Sequence, residues 1–330
     1  MTPAQFEAAH AAAWDELEDL LARAEAKDSR KGRKWDGARL AQLYRSACEQ
    51  LALAQSRAYP VHLVERLESL TQGAHRLIYR TQGMQLAKLR DLALVGFPQA
   101  VRAHRGYLLA AVLLFVLPLL AAGWAAWRDP GFILHLVDAA KVQEFDAMYG
   151  PGDTAIGRER GSQTDWQMFG FYVMHNIGVG FQTFAGGIFA GLGSIFFLVF
   201  NGLFAGVVGG YLIARGYSEN FLSFVVTHTA FEVTAIVLAG AAGLRLGHAW
   251  IAPGRLTRLQ ALRVAAREAV VIVYGVVGLL LVAAAVEAFW SSARWVAPEV
   301  KYGVGTACWA LVVAYLSWQG RPAKEAIRAD

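Results

Sequence analysis

The chain has 330 residues, of which 56% are hydrophobic and 17% charged, against roughly 25% charged in soluble domains; an ordinary soluble fold is excluded for most of its length. The net charge of +5 does not argue for nucleic acid as a partner, because Lys and Arg gather on the cytoplasmic side of membrane proteins. Cys48 and Cys308 lie in different regions, so no disulfide framework or Cys-based metal site is expected.

Charge is unevenly spread. Residues 1–105 hold sixteen Lys/Arg and twelve Asp/Glu, whereas Gly106 to Trp127 holds none. The expected organisation is a cytoplasmic helical domain over 1–105 and a transmembrane domain over 106–330. The first residues show no basic stretch followed by an apolar one, so no cleavable signal peptide is expected.

Within the polar domain, Thr2-Pro3 is a helix start, followed by Phe6, Ala13, Leu17, Leu20 and Leu21 at helical spacing. A basic loop carries Lys27, Arg30, Lys31, Arg33 and Lys34, a candidate surface for anionic lipid or an acidic partner. Leu40, Leu43, Ala47, Leu51 and Ala54 predict a second helix ending near Tyr59-Pro60. Val61, Val64, Leu67, Leu70, Leu77 and Ile78 predict a third, interrupted by Gly96 and Pro98 at the latest.

Six apolar stretches are long enough to cross a bilayer, which takes about twenty residues: Gly106–Trp127, Met168–Leu192, Ile195–Ala214, Phe221–Gly247, Ala269–Trp290 and Tyr302–Trp318. The expected fold is therefore all-α, a polytopic bundle of about six transmembrane helices behind an N-terminal helical domain. Arg102, Arg105, Arg255, Arg258, Arg263, Arg267, Arg321 and Lys324 fall on one side of these spans. The segment from Arg128 to Asp165 on the other side has four basic and seven acidic residues. By the positive-inside rule both termini face the cytoplasm, and the spans lie in the membrane that bounds it. The outer loop at about 128–167 carries Phe132, Ile133, Leu136, Val137, Phe145 and Tyr149 on one helical face. It predicts an amphipathic helix, on the membrane surface or packed against protein.

Ionisable residues at membrane depth are costly and mark candidate sites. Glu232 is the twelfth residue of the fourth span, and His228 lies one helical turn before it. His175, Asn176 and Gln182 on the second span and Asn201 on the third complete a candidate intramembrane polar cluster. It could act as a proton or ion relay, line a polar substrate path, less readily hold a metal, or fix helix packing. His-x3-Glu lacks the His-Glu-x-x-His signature of zinc proteases. Neither a metal nor a cofactor is expected, and no catalytic residue is assigned. Gly202, Gly206 and Gly210, with Ala235, Ala239, Gly243 and Gly247, form small-residue stripes. They suit close packing within the chain or a dimer seam.

Several motifs occur in order: WDELEDLL at 14–21, LYRSACEQLALAQSR at 43–57, YPVHLVERL at 59–67, AHRLIY at 74–79, HNIGVGFQTFAGGIFAG at 175–191, NGLFAG at 201–206 and HTAFEVTAIVLAGAAGL at 228–244. With them the chain resembles the stage II sporulation protein M family over nearly its whole length. It departs at Gln50-Leu51, where members often have Asp followed by Leu, and at His175-Asn176, where they often have an Asn pair. The resemblance implies a membrane component of bacterial envelope machinery. In spore formers that component looks like a scaffold for peptidoglycan-degrading enzymes; elsewhere such proteins tend to be encoded near a MoxR-type ATPase. A non-enzymatic homodimeric scaffold in the bilayer is the leading expectation, with envelope enzymes or a MoxR-type ATPase system as partners. The alternative is a transporter or permease subunit built around Glu232.

Overall fold

The computed structural model describes residues 1–25, 37–79, 81–150, 162–293 and 295–321. Among them every regular element is helical. The chain divides into two compact units, Met1–Arg90 and Asp91–Asp330.

The first unit is built from α1 (Pro3–Glu25), α2 (Gly37–Ser56), α3 (Val61–Tyr79) and α4 (Thr81–Asp91). Thr2 and Gln5 exchange backbone-to-side-chain hydrogen bonds of 3.0 and 3.4 Å, a capping box that starts α1. The apolar positions of α1, α2 and α3 recur every third or fourth residue. Their stripes close on one core containing Phe6, Trp14, Leu17, Leu43, Leu63 and Leu67. Trp14 donates its indole N–H to Gln50 Oε1 at 2.6 Å inside that core, so neither buried polar group is left unpaired. Arg39 pairs with Glu16, and Arg66 with Asp15 at 2.6 Å and Glu18 at 3.1 Å, across the exposed edges.

The second unit opens with a π-turn (Leu92–Gly96) and α5 (Phe97–Ala103). Then follow α6 (Arg105–Arg128), a 3-10 turn (Pro130–His135), α7 (Ala139–Tyr149), α8 (Ser162–Ala185), α9 (Leu192–Ala214), α10 (Ser218–Ile251), α11 (Arg258–Val286) and α12 (Pro298–Trp318). α5 stands before the domain boundary expected at residue 105, yet it packs in this unit. Phe97 is 3% exposed and shares a core with Ala235, Ala239, Ala269 and Ile272. Its ring fills the space beside Gly275 that a side chain there would occupy.

Among the described residues five helices are long and apolar enough to cross a membrane: α6, α9, α10, α11 with its extension to Ser291, and α12. The sixth expected span, α8, is a 24-residue helix but falls outside that group. Gln163, Asp165, Gln167, His175, Asn176 and Gln182 lower its apolar character.

The small-residue stripes are used within the chain. Gly202, Gly206 and Gly210 bring α9 against α6, with the carbonyl oxygens of Phe115, Leu119 and Gly123 where side chains on them would stand. Gly243 and Gly247 bring α10 against the α8–α9 connection, at Ser194 and Gly191. Ala235 and Ala239 are buried in the core that α10 shares with α5 and α11. The segment after Asp129 packs on the bundle: Ile133 and Val137 are buried in a core with Val207, Tyr211 and Phe224. Tyr211 donates to the Asp146 carboxylate at 2.9 Å, and Asn220 Nδ2 donates to Tyr149 O at 2.8 Å. At the opposite end Glu268 receives Arg245 at 2.9 Å and lies 3.4 Å from His104.

Candidate functional site

α10 carries His228 and Glu232 one turn apart on the same face. His228 is 4% exposed. Its Nδ1 stands 3.0 Å from Ser291 Oγ, and its Nε2 points towards Glu232 Oε2 at 3.9 Å. Ser291 closes a π-turn, Glu287–Ser291, that continues α11. The wide i→i+5 turn brings its first and last residues nearly into register. Glu287 and Ser291 therefore face α10 together. One ligand atom each from His228, Glu232 and Glu287 lies within 4.8 Å of the others.

α8 supplies the third wall. Asn176 is 2% exposed and its Nδ2 completes no hydrogen bond, although its amide neighbours the Glu287 carboxylate. Lys301, at the start of α12, is 6% exposed and donates to Ser291 O at 2.8 Å. Among the described residues no Lys or Arg forms an ion pair with Glu232 or Glu287. The indole N–H of Trp290 is likewise buried without a hydrogen-bond partner. Beyond the spans, burial pushes the Tyr149 hydroxyl above the ordinary phenol range, and the charge of Glu287 adds to the effect.

Of the six residues expected to cluster, Asn176, His228 and Glu232 come together. His175 and Gln182 are exposed on a neighbouring face of α8, where the His175 ring stacks on Phe171 at 5.8 Å. Asn201 donates to Phe197 O at 2.8 Å on its own helix. Glu287, Ser291 and Lys301 were not singled out in the sequence. Glu287 had a signal, an ionisable residue inside the apolar stretch Ala269–Trp290. Arg255, Arg258 and Arg263 are exposed, and Arg258 lies over the Trp250 ring at 5.9 Å. Lys27, Arg30, Lys31, Arg33 and Lys34 lie outside the described residues.

A family model described as stage II sporulation protein M matches residues 111–292, more than half of the chain. The chain belongs to the stage II sporulation protein M family. A second model, a domain of unknown function (DUF8413), matches residues 4–80 and so covers the α1–α3 core. No curated protein and no solved structure matches the chain. Asn176, His228, Glu232, Glu287 and Ser291 all fall inside the stretch matched by the sporulation protein M model, and Lys301 falls outside it.

Proposed function

We propose that this member of the stage II sporulation protein M family is a non-enzymatic inner-membrane scaffold of the bacterial cell envelope, working as a homodimer through α8. The exposed face of α8 carries the proposal. His175 and Gln182 stand seven residues apart on it, with Gly178 between them and nothing within 4 Å of where a Gly178 side chain would be. Polar side chains facing lipid are costly, and they find hydrogen-bond partners on neighbouring helices. Glutamine and histidine each donate and accept, so a second copy related by a two-fold axis satisfies both. The exposed basic residues at 255, 258 and 263 support placing both termini in the cytoplasm. The α1–α3 unit is then a cytoplasmic docking module, with envelope enzymes or a MoxR-type ATPase system as partners by family resemblance.

The test is the mass of the purified protein in lipid nanodiscs. The wild type is expected as a dimer and Q182L/G178I as a monomer of unchanged thermal stability. A monomeric wild type would sink the proposal. A permease subunit is the second candidate function, favoured by His228, Glu232 and Glu287 meeting inside the bundle. It requires ion or proton flux into proteoliposomes that E232Q abolishes, whereas a scaffold gives none.

A further inference from the structure

We propose that His228, Glu232 and Glu287, with Asn176, form a binding site for one divalent transition-metal ion, Zn2+ or Mn2+, that clasps α8, α10 and the π-turn of α11. The inference is independent of the α8 dimer.

The donor set is one imidazole nitrogen and two carboxylates, each from a different turn of the bundle. A four-coordinate ion with bonds of about 2.0–2.2 Å holds neighbouring donors about 3.4 Å apart. Here the three donors lie within 4.8 Å, with the His228–Glu232 edge at 3.9 Å. The side chains have to draw together for one ion to hold all three.

The surroundings are built for an ion in two further respects. His228 is fixed through Nδ1 by Ser291 Oγ, and this outer-shell bond leaves Nε2 to face the carboxylates. Asn176 is a buried amide, 2% exposed, on the wall beside Glu287, and its Nδ2 completes no hydrogen bond. The same amide turned over would place Oδ1 where the unpartnered Nδ2 now stands and present it to an ion as a fourth donor. The charge balance points the same way. Two carboxylates in a low-dielectric interior need compensation. Among the described residues the neighbouring cation is Lys301, which donates to the Ser291 carbonyl and forms an ion pair with neither carboxylate. A doubly charged ion neutralises both. A nitrogen donor beside oxygens favours a transition ion over Ca2+ or Mg2+, which take oxygen ligands.

The test uses untagged full-length protein in lipid nanodiscs, stripped with chelator and titrated separately with Zn2+ and Mn2+. Bound metal is counted by mass spectrometry, and thermal unfolding is followed in parallel. We expect one ion per chain and a higher melting temperature with metal. E287Q should weaken binding at least tenfold. S291A, which removes only the support of His228, should weaken it about 10–100-fold, the usual loss for an outer-shell partner. Metal-free melts equal to wild type show that both variants fold; if E287Q does not, S291A decides. Protein that retains neither ion and melts unchanged at saturating metal, or variants that bind as tightly as wild type, would overturn the assignment and leave a carboxylate pair sharing a proton.

Discussion

The carbonyl oxygen of Phe115 on α6 occupies the space that a side chain on Gly202 of α9 would need. Gly206 and Gly210 continue the contact against Leu119 and Gly123, so α6 and α9 meet backbone to backbone. This interface is consumed inside one chain and is closed to a second copy.

Adding a single methyl group separates the two kinds of glycine. Gly206→Ala forces its Cβ onto the Leu119 carbonyl, and overpacking of this kind costs about 1–3 kcal/mol. Gly178→Ala meets nothing within 4 Å and should leave the monomer's stability unchanged. Thermal unfolding of both variants in the same detergent checks the contrast. Equal melting temperatures would contradict the α6–α9 packing.

The N-terminal unit has its own core, so residues 1–90 should be helical and unfold cooperatively as a fragment. Trp14→Ala removes a side chain that is 1% exposed and should destabilise the fragment by about 3–5 kcal/mol. Urea unfolding followed by circular dichroism measures the difference. A loss below about 1 kcal/mol, the net worth of a typical hydrogen bond, would mean that Trp14 does not hold the core.

The same fragment has a predictable acid response. A hydrogen bond from Arg39 holds the Glu16 carboxyl below the usual carboxylate range. Its folded pKa is depressed, so the stability it contributes is present above the unfolded value of about 4.3. That stability is lost as pH falls through the lower folded value. The group is exposed, so the effect is small. The difference in unfolding midpoint between wild type and Glu16→Gln should shrink from pH 6 towards pH 3.

Much of this architecture is legible in the sequence because apolar spacing and span length are local properties. The α1–α3 repeats, five of the six apolar stretches and the His228–Glu232 turn follow from them. Which face a helix turns inward is not local. His175 and Asn176 are adjacent, yet successive residues on a helix point about a quarter-turn apart, so Asn176 is buried and His175 is not. The glycines at 202, 206 and 210 announce a close neighbour without naming α6. Glu287 stands near the end of an apolar stretch judged by its length. Only the π-turn shows that it faces His228. The amphipathic pattern after Asp129 leaves membrane surface and protein open as its cover, and its apolar side packs on Tyr211 and Phe224.

Orientation has a separate test. Asp138→Cys, at the start of α7, should react with a membrane-impermeant thiol reagent in intact spheroplasts of a strain lacking the native cysteines. Arg255→Cys should react only after the membrane is opened. The reverse pattern would invert the topology.

The scaffold account rests most directly on a second copy covering α8, and Met174, 80% exposed on that face, reports on it. Met174→Cys in a strain lacking Cys48 and Cys308 should form a disulfide-linked dimer in membranes under mild oxidation. Leu117→Cys, 59% exposed on α6, should remain a monomer. Equal crosslinking at both positions, or none at Met174, would contradict the account.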